Sequence, residues 1–125
     1  MSEPLRGVVV SHAALAQALV EAVARITGHA EGLVPVSNDG CSRDALEQRL
    51  VEAVGGQPAV VFVDLPSGSC LLASVKFARG SPDVAIVAGV NLAMLVDFLY
   101  HRDLSVHDAA ARAVATGNRS LKVLP

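Results

Sequence analysis

The sequence predicts an α/β fold in which a four-stranded parallel sheet, with the strand order 2-1-3-4, carries helices on both faces. Short valine-rich runs alternate with longer amphipathic segments along the chain, and this alternation is typical of parallel strands joined by helices. Hydrophobic residues make up 52% of the 125 residues, and the runs are apolar throughout, as expected for strands that helices cover on either side. Short right-handed crossovers favour the order 2-1-3-4 for such a sheet.

The first half of the chain contains two strand and helix units. Residues 7–11 (GVVVS) are predicted to be a buried strand, and residues 13–27 a helix, because apolar side chains recur there at helical spacing. Residues 32–36 are the second predicted strand. The next helix begins near an N-cap at Ser42 and ends at the glycine pair 55–56.

The second half repeats the pattern. Residues 59–64 (AVVFVD) and 83–88 (DVAIVA) are the third and fourth predicted strands. The helix between them covers residues 69–79 and ends at a glycine. Asn91 is then a suitable N-cap for a helix over residues 92–100.

The C-terminal part of the chain is predicted to hold one more helix and a short strand. Ser105 and Asp108 resemble a capping box at the start of that helix, and Gly117 is expected to close it. Residues 120–124 are left as a short strand. Such a strand must pair at an edge of the sheet or with another chain, so we expect a homodimer.

Composition argues against several classes of function. The net charge is −2, which provides no bulk attraction to nucleic acid or to anionic lipid. The longest apolar runs, residues 84–90 and 93–96, fall far short of the roughly 20 residues that a membrane-spanning helix needs. The glycine-rich motifs that bind nucleotide phosphates do not occur, which argues against a nucleotide-binding enzyme.

The cysteines indicate the cellular compartment. Cys41 and Cys70 have neither the paired spacing of a zinc site nor the density of a disulfide scaffold. No basic and apolar leader precedes the first strand. We therefore expect a reduced, cytoplasmic protein without a metal or cofactor. Cys70 lies near a predicted helix N-terminus, where a thiol can become reactive, but packing of a small side chain is the favoured interpretation.

Two polar residues follow the two strands that the strand order makes neighbours. His12 ends the first strand and Asp64 ends the third. The crossover direction reverses between these strands, so a crevice opens at their carboxyl ends, where ligands of such folds bind. A carboxylate bonded to one imidazole nitrogen leaves the other free to act as nucleophile or base. The alternative is that His12 caps the following helix or is simply exposed, and that Asp64 caps the helix after the third strand.

A small-residue segment lies directly beyond Asp64. Ser67, Gly68 and Ser69 stand at the start of a predicted helix, where free backbone N–H groups and the helix dipole favour an anion. A phosphoryl group near His12 could be held there. The segment also suits an ordinary loop and cap. The other histidines are interpreted as surface residues, namely His29, His101 and His107.

The chain resembles the enzyme IIA component of the mannose class of the bacterial phosphoenolpyruvate-dependent sugar phosphotransferase system. The resemblance rests on residues 8–12 (VVVSH), on residues 61–64 (VFVD) followed by Ser67-Gly68-Ser69, and on residues 88–95 (AGVNLAML). It covers nearly the whole length and implies a single enzyme IIA domain over residues 1–125. The family fold adds a fifth strand exchanged between the subunits of a dimer, which would give residues 120–124 a place.

The resemblance also implies roles for these residues. His12 would accept a phosphoryl group from the phosphocarrier HPr and pass it to a IIB component for sugar uptake. Asp64 would orient the imidazole, and Ser69 with neighbouring amides would line the phosphoryl site. No metal or cofactor is implied, and the membrane would be reached only through IIC and IID components.

Some positions depart from the family pattern. Leu65 and Pro66 replace a more polar loop, Cys70 stands where proline is usual, and Ala13 where glycine often follows the histidine. Two other functions therefore stay open. One is a regulatory phosphoprotein with the same histidine chemistry but no transport partner, and the other is a flavodoxin-like binding module without phosphoryl chemistry.

Overall fold

A computed structural model describes residues 4–125, which form a four-stranded parallel sheet and five helices. The strands are β1 (Arg6–Ser11), β2 (Leu33–Ser37), β3 (Ala59–Val63) and β4 (Val84–Ala88). The helices are α1 (Leu15–Thr27), α2 (Arg43–Val54), α3 (Ser69–Arg79), α4 (Leu92–Leu99) and α5 (Val106–Arg119). The sheet order is β2-β1-β3-β4 and every pairing is parallel. The fold class and strand order predicted from the sequence are confirmed.

Both faces of the sheet are buried, as the apolar strands require. Alternate residues of β1 point to opposite faces, so Val9 packs with α1, α4 and α5 while Val8 packs with α2 and α3. Phe62 extends the first of these cores and meets Phe98 of α4 edge to face, with ring centroids 5.3 Å apart. Val8, Val9 and Phe62 are completely buried, so the two central strands form a rigid platform for the residues that follow them.

The arrangement of helices reverses the crossover direction between β1 and β3, the position where the sequence predicts a crevice. The crossover from β1 to β2 uses α1 on one face, whereas the crossover from β3 to β4 uses α3 on the other. The segments that follow β1 and β3 therefore diverge at the carboxyl edge of the sheet. Asp64 remains tied to this edge, because its backbone N–H bonds to the carbonyl oxygen of Val10.

Gly117 does not close the last helix as predicted. It lies inside α5, which continues to Arg119, and it is buried where α5 crosses α4. A Cβ atom at this position would stand 2.5 Å from Cε of Met94. The glycine therefore permits close helix packing, and sequence pattern alone does not distinguish that purpose from helix termination.

The strand predicted for residues 120–124 is absent from the single chain. Ser120 closes α5 through backbone bonds to Thr116 and Gly117, and residues 121–125 have no regular structure. Leu121, Val123 and Leu124 are exposed. The prediction that these residues pair with an edge of the chain's own sheet is therefore wrong. A segment with strand propensity becomes a strand only when it pairs with the edge of a sheet. Within residues 4–125, the structure contains no helix with the length and apolar character needed to cross a bilayer.

Candidate active site

His12 and Asp64 meet at the carboxyl edge of the sheet. His12 directly follows β1 and Asp64 directly follows β3. The ring nitrogen Nδ1 of His12 lies 2.8 Å from Oδ2 of Asp64, and the backbone N–H of His12 donates to the same oxygen at 2.9 Å. One carboxylate oxygen thus holds both the main chain and the ring of His12.

The two side chains differ sharply in exposure. The His12 side chain is 44% exposed, whereas the Asp64 side chain is only 7% exposed. The carboxylate next to Nδ1 favours the tautomer in which Nδ1 carries the proton and donates it to Asp64. The other nitrogen, Nε2, then has a free lone pair at the open side of the ring, and this is the geometry of an available nucleophile.

Asp64 is placed to stay ionised. Burial by itself raises the pKa of this carboxyl. The backbone N–H and ring of His12, together with the backbone N–H of Leu65, lower the pKa by a larger amount, so the net pKa is below its ordinary value. The second oxygen, Oδ1, is buried and has no hydrogen-bond partner within residues 4–125. The hydrogen bonds to His12 therefore all fall on Oδ2, and Oδ1 has no hydrogen-bond donor within those residues.

Within the segment from Ser67 to Ser69, Gly68 lies beside the free side of the ring. Gly68 has φ 90° and ψ −172°, a conformation that glycine adopts easily, and α3 begins at Ser69. A Cβ atom on Gly68 would lie 3.8 Å from both Cε1 and Nε2 of His12. No side chain caps the N-terminus of α3, so its first N–H groups are available to an anion beside Nε2.

The loop after β2 reaches the same site, which sequence reasoning did not anticipate. Asn38 accepts a hydrogen bond from the backbone N–H of Ala13 at 3.3 Å and donates one to Oγ of Ser69 at 3.4 Å. The neighbouring Ser37 donates to the carbonyl oxygen of Ala13 at 2.7 Å. The available signal was topological: β2 pairs with β1, so the polar residues that follow β2 lie beside His12.

The chain also leaves β1 differently from the prediction. The helix predicted from residue 13 begins at Leu15, and Ala13 has a positive φ of 52°. Buried Ser11 accepts a hydrogen bond from the backbone N–H of Ala16 at 2.6 Å. The Ser11 hydroxyl therefore accepts a hydrogen bond from one of the free backbone N–H groups at the start of α1. The residues between Ser11 and α1 form a tight turn that begins at His12.

Cys70 is buried directly behind the histidine. Its Sγ lies 3.8 Å from Nδ1 of His12. Burial, together with the negative charge of Asp64, raises the pKa of this thiol to about 11. It is therefore a neutral packing group near pH 7, in agreement with the favoured interpretation of the sequence. Cys41 is also a free thiol, half-buried in the loop after β2.

His12, Asp64 and Cys70 together offer one nitrogen, one oxygen and one sulfur atom within 4.8 Å of each other. Two ligands of a tetrahedral zinc ion stand about 3.3 Å apart. The 2.8 Å separation of Nδ1 and Oδ2 is shorter than this and matches a direct hydrogen bond. The arrangement is therefore that of an imidazole paired with a carboxylate, with a thiol packed beside it.

Comparison with known proteins identifies the family. A family profile described as "PTS system fructose IIA component" matches residues 7–115. No curated protein matches the sequence.

Solved structures share the fold at low sequence identity. The phosphotransferase system component EIIA from Streptococcus agalactiae has a TM-score of 0.89 at 20% identity, covering 95% of this chain and 96% of that chain. The mannose/sorbose specific IIA subunit from Enterococcus faecalis has a TM-score of 0.84 at 20% identity, covering 98% and 96%. The PTS IIA protein associated with the fucose utilization operon from Streptococcus pneumoniae has a TM-score of 0.74 at 18% identity, covering 98% and 96%.

These structures support the fold, and the profile, which spans most of the chain, shows the family. The resemblance to mannose-class IIA components noted in the sequence is confirmed. The chain therefore belongs to the family of PTS system fructose IIA components, the phosphotransfer components of the phosphoenolpyruvate-dependent sugar phosphotransferase system.

Proposed function

We propose that this chain is a phosphocarrier that accepts a phosphoryl group on Nε2 of His12 from HPr and passes it to a IIB component during sugar uptake. Residues 1–125 act as one IIA domain in this proposal. The observation that carries it is the pairing of His12 with Asp64. The 2.8 Å contact at Nδ1 turns that side of the ring toward Asp64, so the lone pair of Nε2 is on the opposite, exposed side of the ring.

The chemistry needs one bond to form and one to break. The lone pair of Nε2 attacks the phosphorus of the donor phosphohistidine in line, through a loose transition state. The phosphorus–nitrogen bond of the donor breaks, and its electron pair returns to the donor imidazole. The His12 ring, phosphorylated on Nε2 and protonated on Nδ1, gains positive charge. Asp64, ionised and 2.8 Å away, stabilises that charge.

The phosphoryl oxygens have a suitable environment beside the ring. Gly68 brings the backbone close to Nε2, and Ser69 starts α3. The uncapped N–H groups of this helix and its dipole attract the transferring group without moving. Transfer to the next carrier reverses the same step, so moderate stabilisation serves the function better than tight binding.

The proposed docking surface for both protein partners surrounds the crevice. Leu15 begins α1 next to His12, Leu65 follows Asp64, and Leu72 lies in the first turn of α3; all three are exposed. Apolar side chains around a polar centre suit complexes of modest size that form and separate quickly. We propose a cytoplasmic location, with the membrane reached only through IIC and IID components.

The proposed homodimer uses the C-terminal residues. Leu121, Val123 and Leu124 are exposed apolar residues beyond α5, and residues 120–124 would pair as a strand with the partner subunit. Sedimentation velocity of the chain and of a variant ending at Ser120 tests this. A dimer that becomes a monomer on truncation is expected, and an unchanged monomer in both samples contradicts it.

Phosphorylation on His12 can be tested by mass. The chain is incubated with phosphoenolpyruvate, enzyme I and HPr, and the intact mass is measured. One phosphoryl group is expected on the unchanged chain and none on His12→Ala. His29→Ala is the matched control, because His29 is exposed and follows the C-terminal end of α1. Phosphorylation of His12→Ala, or no phosphorylation of the unchanged chain, overturns the proposal.

Adding a IIB component to the phosphorylated chain separates transport from regulation. Loss of the phosphoryl group to IIB supports the transport role. Retention of the group, with IIB unmodified, favours the regulatory alternative that uses the same histidine.

A further inference from the structure

The turn between β1 and α1 contains a residue in an unfavourable backbone conformation. Ala13 has φ 52°, and it is the one non-glycine residue with positive φ in the described part of the chain. A Cβ atom makes this left-handed region costly, and alanine lacks the polar side chain that helps asparagine or aspartate to adopt it. Since Ala13 directly follows His12, its conformation sets the direction in which the chain leaves the histidine.

The side chains of Ser37, the last residue of β2, and of Asn38, the next residue, bind both backbone polar groups of Ala13. Ser37 donates its hydroxyl proton to the carbonyl oxygen of Ala13 at 2.7 Å. Oδ1 of Asn38 accepts a hydrogen bond from the backbone N–H of Ala13, with 3.3 Å between nitrogen and oxygen. These bonds lie on either side of the Ala13 Cα atom, so together they restrain both backbone angles. We refer to Ser37 and Asn38 as the Ala13 clamp.

The clamp is itself anchored to the protein. Arg49 of α2 donates to the carbonyl oxygens of Ser37 at 2.7 Å and Asp39 at 3.1 Å. The backbone N–H of Asn38 bonds to the carbonyl oxygen of Ser11 at 3.0 Å. The loop is therefore held from α2 and from the end of β1, and it can resist the relaxation of Ala13 rather than follow it.

Asn38 also connects the turn to the proposed phosphoryl site. Its Nδ2 donates to Oγ of Ser69 at 3.4 Å. One amide thus joins the backbone beside His12 to the first residue of α3. The ring of His12 is restrained by Asp64 from the buried side, and its backbone by the clamp from the side of β2.

We propose that Ser37 and Asn38 are positioning residues for phosphoryl transfer, which hold Ala13 in its left-handed conformation so that Nε2 of His12 faces Gly68. This inference rests on the proposed function of His12. It assigns a role to the last residue of β2 and to the residue that follows it, and this role does not depend on contact with the imidazole. It also explains how an alanine can occupy a turn whose geometry favours glycine.

The first test measures the rate of phosphoryl acceptance from HPr. Ser37→Ala and Asn38→Ala each remove one bond to Ala13, and each is expected to lower kcat by about three- to tenfold with little change in KM for HPr. Ser42→Ala is the matched control, because Ser42 caps α2 through the N–H of Ala45 and does not contact Ala13. It should lower thermal stability while the rate stays unchanged.

The decisive test is a double-mutant cycle with Ala13→Gly. Glycine adopts positive φ without a Cβ clash, so the clamp has less strain to oppose. Ser37→Ala is expected to slow the Ala13→Gly variant clearly less than it slows the chain that retains Ala13. The same cycle measured by urea unfolding should show the same sign of coupling.

The outcomes separate this inference from the proposed function. If the unchanged chain is phosphorylated but the clamp variants are as fast, or if the two substitutions have independent effects, the clamp is wrong and the function of His12 stands. If the unchanged chain accepts no phosphoryl group, the proposed function fails and the positioning role fails with it. If Ser42→Ala loses as much rate as Ser37→Ala, the loss follows from lower stability in general and not from the bonds to Ala13. That result would overturn the inference.

Discussion

Nδ1 of His12 lies 2.8 Å from Oδ2 of Asp64, and the same oxygen accepts the backbone N–H of His12 at 2.9 Å. Rotation of the ring therefore breaks one of two bonds that share an acceptor. The side chain of Asp64 is almost fully buried and that of His12 is nearly half exposed. The pair thus combines a fixed charge inside the protein with a reactive atom at its surface.

Asp64→Asn should slow phosphoryl acceptance by about ten- to a hundredfold, the range expected when a hydrogen bond to a charged group loses its charge. The amide can still contact the ring, but it does not stabilise the positive charge that develops on it. Stopped-flow or quenched-flow transfer from HPr measures the effect. Asp83→Asn is the control, because Asp83 is exposed before β4, at the opposite edge of the sheet. Equal rates for Asp64→Asn and the unchanged chain would remove Asp64 from the mechanism.

The free energy of unfolding should fall in acid as Asp64 becomes protonated. The folded pKa of this carboxyl is lowered, so near pH 4 the folded state binds fewer protons than the unfolded state. The stabilisation is present above about pH 3.9 and is lost as the pH falls through the folded pKa. Urea unfolding from pH 7 to 2 should show a smaller loss for Asp64→Asn, which starts about 1 kcal/mol less stable. Parallel pH curves for the two chains would contradict this.

Gly68→Ala should impair the site in two ways. The alanine must adopt φ 90°, which costs about 1 to 3 kcal/mol of stability, and its Cβ atom lies 3.8 Å from Nε2 of His12, in the space proposed for the phosphoryl group. We expect transfer from HPr to fall more than tenfold.

Gly56→Ala is the matched control for this substitution. Gly56 has φ 72°, but a Cβ atom there meets nothing within 4 Å, and the residue follows α2 far from His12 in the fold. It should lose comparable stability in thermal unfolding and retain its transfer rate. If both variants transfer equally well, the space beside Nε2 is not the phosphoryl site.

Cys70 should make the chain less stable in alkali. Burial raises the pKa of its thiol from an ordinary value of 9.0 to about 11 in the folded state, so the folded state keeps a proton that the unfolded state loses. The free energy of unfolding should therefore fall as pH rises from about 9 to 11. Cys70→Ser should show a weaker decline in urea unfolding, and Cys41→Ser should retain it. An equal decline in all three chains would show that other groups cause it.

The sequence could predict the strands and the partnership of His12 with Asp64 because both follow from short-range pattern and topology. Apolar runs such as residues 7–11 and 59–63 are too apolar to lie at a surface, and parallel strands joined by helices must place their carboxyl ends together. A polar residue directly after each of two adjacent strands then has little freedom of position. The carboxyl end of β2 obeys the same rule, but Ser37 and Asn38 are ordinary turn residues in sequence, so their contact with Ala13 could not be recognised.

By itself, then, the amino-acid sequence predicted the strand order, the two buried faces and, as one of two interpretations, the meeting of one imidazole with one carboxylate, since hydrophobic burial and chain connectivity leave few alternatives. Only the tertiary structure decided the left-handed conformation of Ala13, the bonds that Ser37 and Asn38 make to it, and the burial of Gly117 against Met94. These features depend on how closely segments distant in the chain approach one another, to within a few tenths of an ångström. Residue pattern carries no information at that scale.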